Sequence, residues 1–452
     1  MKAGLVSCSN GQQPDQEANI HCLEEILSEM GITAVAAEHL YAIDSVFGGT
    51  AKERAADLMA FYHRDDIDVI YDVSGGDIAN EVLGYLDYDV IAGSQKQLWG
   101  YSDLTSVLNA VYAKTGRPSV LYQVKNLIRD DTGTLRDRFQ NTVMNHKKEL
   151  YQIQYEFLQG QTMEGMVAGG NIRCLLKLAG TPYWPDMKGK ILLLESLGGS
   201  AAQISALFAQ LEQMGVFEQV SGVLLGTFTA LSQSENRKMP FELLSSHISS
   251  SLPVAQTPDI GHGLDAKAAV IGEFLRLAEI KTERLTLKPH GIQYLDTVYE
   301  YAKDPENTKY MLFLPDDSIE DTIRFLEDAA CEWQKQEPSY YEFAIYNQQT
   351  REIAGSAGIY FNDTKDEAEF GWIVSKKYWN RGIASEAAQA LLAYARKKHG
   401  IHQFTAHCDS QNAASFRVME KLGMKREAVY GGRKNKISDE ERKECLYKMF
   451  VP

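Results

Sequence analysis

Through its first hundred residues the chain alternates short apolar strands with amphipathic helices, and this alternation leaves few folds open. Ala3 to Ser7 reads as a buried strand. Ile20, Leu23, Ile26, Leu27 and Met30 recur at helical spacing and stop at Gly31. Ile32 to Ala36 is a second strand, and Thr50 with Glu53 makes a capping box for a helix running to about His63. Val69-Ile70-Tyr71 is the next strand and leads into Ser74-Gly75-Gly76. Strands separated by helices imply a parallel α/β layer with its site on loops at the strand ends.

The next strand-to-helix turn carries a serine. Gln97 to Trp99 runs into Gly100-Tyr101-Ser102-Asp103, after which Leu104, Val107, Leu108 and Val111 mark a helix ending at Gly116. A hydroxyl there lies beside the unpaired N–H groups of a helix start, which can hold an oxyanion. Leu104 stands where a G-x-S-x-G elbow has its second glycine, and a serine ahead of a helix equally reads as an N-cap. Gly75-Gly76 permits close approach of backbone to a ligand and offers a further N–H.

From Arg117 to about Gly160 the pattern is mixed and polar and assigns no elements. Lys190 to Glu195 then reads as a buried strand ending in a carboxylate, Ala201 to Met214 as a helix, and Val220 to Thr227 as a strand. Ile260-Gly261-His262-Gly263 is a glycine-flanked histidine on a loop. Taken singly, Glu195 reads as well as a solvent-facing or capping carboxylate, and His262 as an exposed loop histidine.

Composition narrows the function. At 452 residues the chain has room for two to four domains. A net charge of −15 argues against a nucleic-acid backbone or an anionic membrane as partner. The six cysteines form no CxxC pair and no histidines have ligand spacing, so neither a metal site nor a disulfide framework is expected. Reduced thiols, no signal-peptide core after Met1 and no apolar run of membrane-spanning length point to a cytoplasmic protein.

Five blocks in order resemble the LD-carboxypeptidase family of serine peptidases, which includes the microcin C immunity peptidases. They are Ser74-Gly75-Gly76 with Asn80 and Leu86-Asp87, Gly100 to Thr105, Gly169-Gly170-Asn171 with Gly180-Thr181-Pro182, Leu194-Glu195, and Gly261-His262-Gly263. The resemblance covers about residues 1–280. It implies an α/β nucleophile subdomain over 1–150 and a small, mostly β subdomain over 151–280 that carries the Glu and His. It implies a Ser102-Glu195-His262 triad, an oxyanion hole from the Gly76 and Asp103 amides, no cofactor, and a homodimer. One branch of the family trims murein tetrapeptides; the other cleaves an amide joining a peptide or amino acid to a nucleotide-like group. Ser74, where the murein branch often has arginine, and Asp87-Tyr88-Asp89 favour the second branch.

A different pattern begins near residue 281. Ser318 to about Gln334 is helical, and Tyr341–Tyr346, Glu352–Tyr360 and Glu367–Val374 read as strands. Tyr378-Trp379-Asn380-Arg381-Gly382-Ile383-Ala384-Ser385 opens a further helix, and a glycine turn at a helix start is an anion site. With Asn412 to Met424 beyond one more strand, these blocks resemble the GNAT acetyltransferases of the ribosomal-protein N-acetyltransferase-like group, over residues 281–452. The resemblance implies an α+β domain that uses acetyl-CoA. Its pyrophosphate would lie on the amides of Asn380, Arg381, Gly382, Ile383, Ala384 and Ser385, with Asn412 on the pantetheine arm. Glu369 is the candidate base and Ser415 the candidate donor to the leaving thiolate; each reads also as a surface strand residue or a packing serine. The whole chain then reads as a two-headed enzyme acting on a small peptide or aminoacyl-nucleotide, with murein recycling, or one half serving only as a binding module, as alternatives.

Overall fold

Parallel pairing is what the alternating segments adopt in the computed structural model, which describes residues 1–232, 239–438 and 440–452. The chain divides into two units, Met1–Leu275 and Arg276–Pro452. In the first, β1 (Lys2–Val6), β2 (Thr33–Ala36), β3 (Val69–Asp72), β4 (Gln97–Gly100) and β5 (Ser119–Leu121) alternate with α1 (Glu17–Glu29), α2 (Ala51–His63), α3 (Tyr88–Gly93) and α4 (Thr105–Thr115). These strands lie in the order β5-β4-β3-β1-β2, each pair parallel. The capping box forms at the head of α2: the Glu53 amide donates to Thr50 Oγ1 and the Thr50 amide to the Glu53 carboxylate. Around β4, Trp99 packs against Tyr71, Tyr122 and Phe139 at centroid distances of 5.7–5.9 Å. That aromatic cluster is a rigid seat for the strand leading to Ser102.

The polar stretch after β5 contains α5 (Thr134–Val143), which buries only Leu135, Phe139 and Thr142. So narrow an apolar stripe explains why the pattern alone does not assign it. A second sheet follows, from β6 (Glu156–Gln159), β7 (Thr162–Asn171), α6 (Ile172–Leu176), β8 (Ile191–Ser196), α7 (Ala201–Gln213), β9 (Gly222–Phe228), α8 (Thr229–Ser232), α9 (Met239–Ser245) and β10 (Val254–Gln256). β7-β8-β9-β10 are parallel neighbours and β6 lies antiparallel on β10. β11 (Ala269–Ile271) returns to the first sheet, antiparallel to β5, and β12 (Phe274–Ala278) adjoins β7.

The expected mostly β piece over 151–280 is therefore corrected to α/β, and its division from 1–150 is crossed by β11. Parallel strands buried on both faces need helices over them. Ile204, Phe208 and Leu211 of α7 supply that cover, in one core with Leu192, Leu194, Val223 and Leu225.

The second unit comprises β13 (Ile280–Lys281), β14 (Leu285–Pro289), α10 (Leu295–Ala302), α11 (Ile319–Trp333), β15 (Tyr340–Asn347), β16 (Glu352–Phe361), β17 (Glu367–Val374), α12 (Ile383–His399), β18 (Gln403–Asp409), α13 (Ala413–Lys421), β19 (Lys425–Arg433) and β20 (Arg442–Phe450). Its sheet order is β13-β14-β15-β16-β17-β18-β20-β19. Among the described residues of this unit only β17 and β18 pair in parallel, over Glu367–Glu369 against Gln403–Thr405, and their pairing ends there. Among the described residues, no helix is long and apolar enough to cross a membrane.

Candidate active sites

Ser102 does not cap a helix. It opens a 3-10 turn over Ser102–Leu104 with φ +54°, the left-handed region. The N-cap of α4 is Leu104. Gly100 allows the tight turn, since a Cβ there would lie 2.8 Å from Leu104 Cβ. The turn leaves Ser102 Oγ 3.2 Å from His262 Nε2. His262 Nδ1 in turn lies 2.7 Å from Glu195 Oε2. Glu195 is fully buried at the end of β8.

The histidine loop is fixed by contact. Gly261 has φ +152°, and a Cβ on it would fall 1.7 Å from Thr227 Oγ1; the Thr227 amide donates to the Ile260 carbonyl at 2.7 Å. Three residues from distant parts of the chain thus form one hydrogen-bonded line. A carboxylate on Nδ1 leaves Nε2 to accept the serine proton, the arrangement that turns a weak hydroxyl into a nucleophile.

Tyr101, which sequence reasoning does not single out, closes this line from the side. Its ring stands edge-on to His262 at 4.7 Å, and its hydroxyl lies 3.4 Å from His262 Nδ1 and 3.5 Å from Glu195 Oε2. Burial, with Glu195 adding, raises the Tyr101 hydroxyl well above the usual tyrosine value, so it stays a proton donor to the carboxylate. Its position next to Ser102 is the one sequence signal that could have found it. Gly76 has φ +132° in the loop after β3, and Asp103 follows the serine. The fully buried Asp103 carboxylate accepts from Ser9 Oγ at 2.7 Å, from the Ala79 amide at 2.8 Å, and from Lys177.

In the second unit the pairing of β17 and β18 ends ahead of α12. Gly382, φ +78°, is the N-cap of that seventeen-residue helix, and no side chain caps it. The amides of Ile383, Ala384 and Ser385 therefore begin the helix without intrahelical acceptors. Asn380 has φ +60°, and Arg284 braces the turn, donating to the Arg381 carbonyl at 3.0 Å and to Glu386. A helix start with free amides after two strands whose pairing has ended fits the pyrophosphate and extended arm of acetyl-CoA. Trp379 is exposed and donates Nε1 to the Val374 carbonyl. Asn412 caps α13, its Oδ1 accepting the Ser415 amide at 3.2 Å. Glu369 lies in a cavity of about 240 Å³ lined also by Tyr360, Glu367, Thr405, His407 and Lys448. Burial pushes its carboxyl up, and His407 pulls it back down. No hydrogen bond among the described residues joins Glu369 to Asn412 or Ser415.

Comparison with known proteins identifies the domains that carry these residues. Models of the LD-carboxypeptidase N-terminal and C-terminal domains match residues 3–122 and 164–277, and one of the GNAT acetyltransferase domain matches 284–425. The microcin C7 self-immunity protein MccF of Escherichia coli is 30% identical over 271 residues, 53% of this chain and 79% of that protein. The chain belongs to the LD-carboxypeptidase family and carries a GNAT acetyltransferase domain. A solved structure of MccF in complex with glutamyl sulfamoyl guanosine aligns with a TM-score of 0.54 at 25% identity, covering 61% of this chain and 92% of that one. A probable murein peptide carboxypeptidase of Bacillus subtilis is 26% identical, over 54% of this chain and 80% of that protein. In the acetyltransferase part, the uncharacterized N-acetyltransferase YnaD of Bacillus subtilis is 32% identical over 152 residues, 33% of this chain and 85% of that protein.

The GNAT domain implies acetyl-CoA as acyl donor. Its sheet also holds groups with no sequence signal. Glu342 on β15 is buried, accepts from the Tyr360 hydroxyl, and is pushed up to about 7 by desolvation. His290 Nε2 and the Tyr301 hydroxyl both meet Ser356 Oγ at 2.5 Å, and burial lowers His290 to about 3. In the sequence these are strand and loop polar residues like many others. Among the described residues, no group of three or more His, Cys, Asp or Glu is arranged to hold a metal ion.

Proposed function

We propose that the chain is a two-site detoxifying enzyme of the cytoplasm that destroys aminoacyl-nucleotide antibiotics of the microcin C kind. The Ser102–His262–Glu195 line, at 3.2 and 2.7 Å, carries this reading. In it Ser102 Oγ attacks the amide carbonyl while His262 Nε2 takes its proton. Glu195 holds the imidazole tautomer and stabilises its charged form. The Gly76 and Asp103 amides receive the developing oxyanion, each contributing roughly 10²–10³ in kcat. His262 then returns the proton to the leaving nitrogen, and water releases the acyl group by the reverse steps.

At the second site the amides from Asn380 to Ser385 would hold the pyrophosphate of acetyl-CoA, and Asn412 would lie on its pantetheine arm. Bound acetyl-CoA supplies the acetyl group. Glu369 would take the proton of the acceptor amine, and Ser415 would supply a proton to the thiolate that acetyl-CoA leaves. MccF structures include complexes with glutamyl sulfamoyl guanosine and aspartyl sulfamoyl adenosine, which supports a ligand of that class here. Cleaving the amide and acetylating the amino group of one molecule are two independent ways to disarm it.

A second reading, murein tetrapeptide carboxypeptidase activity, draws on the similarity to the Bacillus protein. Against it, Ser74 is buried and turns its hydroxyl to Asp72, so position 74 supplies no cation for a peptide carboxylate. The test incubates the protein with an aminoacyl sulfamoyl adenosine, with and without acetyl-CoA, and with a murein tetrapeptide, and follows mass. Cleavage and acetylation of the first are expected; release of D-alanine with the nucleoside conjugate untouched selects the second reading.

A further inference from the structure

We infer that Lys177 is a positioning residue that holds the two amides of the oxyanion hole at one spacing, an assignment that rests on the serine-hydrolase reading above. The two amides belong to segments far apart in sequence: Gly76 lies in the loop after β3, and Asp103 in the turn after β4. Lys177, at the C-terminal end of α6, reaches both. Its Nζ donates to the Asp77 carbonyl at 2.7 Å and to Asp103 Oδ1. One atom therefore bridges the residue after Gly76 and the side chain of the residue whose amide is the other donor.

The rest of the network makes this bridge a stiff one. Asp103 Oδ2 accepts from Ser9 Oγ and from the Ala79 amide, so the same carboxylate ties the far end of the Gly75–Ala79 loop to the segment that follows β1. Arg173, four residues before Lys177 and so on the same face of α6, pairs with the Asp77 carboxylate. α6 itself is tied to the helix that follows the nucleophile. The Asn171 amide donates to Thr105 Oγ1 at 3.0 Å, and Asn109 exchanges two 2.8 Å bonds with the Gly169 backbone.

An ammonium group suits this task. It offers three donors from one point, and two acceptors of different kinds are met here. The Lys177 side chain is 19% exposed and the Asp103 side chain 0%, so the pair is shielded from salt and water. Oxyanion donors act through fixed geometry, and a donor pair whose separation drifts loses stabilisation of the transition state while substrate binding is kept.

The experiment measures the rate at which a fluorophosphonate probe labels Ser102, and the steady-state hydrolysis of an aminoacyl sulfamoyl adenosine, in the full chain and in Lys177→Met and Lys177→Arg. Lys177→Met removes both bonds. Lys177→Arg keeps the charge beside Asp103, and hence the fold, but cannot serve both acceptors from one atom. Both variants are expected to label at least tenfold more slowly and to lose kcat, by about 10²-fold for Lys177→Met, with KM within about threefold of the parent. Either variant, folded by circular dichroism, labelling at the parent rate overturns the assignment. A parent protein that the probe does not label, with Ser102→Ala indistinguishable from it, overturns instead the serine-hydrolase reading on which the assignment rests.

Discussion

At the scale of single residues the peptidase site is a matter of proton placement. Among the described residues His262 is the base within reach of Ser102 Oγ, so Ser102→Ala is expected to lower hydrolysis by about 10⁴-fold or more while acetyl transfer continues at the parent rate. Mass analysis of one reaction mixture with acetyl-CoA reads both. Glu195→Gln keeps the shape but puts an amide where Nδ1 needs an acceptor, favouring the wrong tautomer. A loss in kcat of roughly 10³–10⁴ is expected with KM little changed, read by steady-state hydrolysis. Tyr101 adds a second donor to the buried Glu195 Oε2, its O–H at 3.5 Å beside the His262 ring nitrogen at 2.7 Å.

Among the elements, the histidine loop and the central strands of the second unit show what packing adds. His262 is held in place because Gly261 lets the backbone lie against Thr227. Gly261→Ala forces that contact apart. It is expected to destabilise the first unit by about 1–3 kcal/mol and to reduce hydrolysis along with stability, measured by thermal melts and turnover on the same sample.

In the second unit, the strand carboxyl of Glu342 is pushed from 4.5 to about 7 by burial. The folded state therefore binds more protons than the unfolded one between those values, so stability falls as pH rises from about 4.5 to 7 and levels off above it. The span corresponds to about 3 kcal/mol. Buried His290, lowered from 6.5 to about 3, acts in the opposite sense: its contribution is full above 6.5 and is lost as pH falls toward 3. Between pH 4.5 and 6.5 the two nearly cancel, so urea melts of Glu342→Gln are expected to show stability rising with pH over that range where the parent stays nearly level.

On the scale of the whole molecule, each unit carries its own core. That of the second gathers Leu285, Phe343, Phe370, Leu391 and Phe404, and the cores of the first lie under its two sheets. Units with separate cores are expected to melt in separate steps. Acetyl-CoA at a hundredfold excess over its dissociation constant is expected to stabilise one transition by about 2.7 kcal/mol and leave the other in place. An aminoacyl sulfamoyl adenosine added to Ser102→Ala is expected to raise the step that acetyl-CoA leaves unmoved. Scanning calorimetry reads both.

What the amino-acid sequence determined without help is whatever neighbouring residues decide among themselves. The alternation of strand and helix, the Thr50–Glu53 capping box, the glycine turn at Gly382 and the sharp turn at Ser102 each depend on a few adjacent side chains and are legible in order. The α5 stretch is not, because its buried stripe is too thin to set a period. The helical cover on the second sheet and the return of β11 to the first depend on which faces become buried, and that is a property of layers. The meeting of Ser102, Glu195 and His262 follows the blocks of a resemblance, but the distances between them come only from packing. So do the side-on Tyr101, the bridge from Lys177 and the raised carboxyl of Glu342. Desolvation and long-range hydrogen bonds are set by what folds over a residue, and a linear chain holds no record of that at the residue itself.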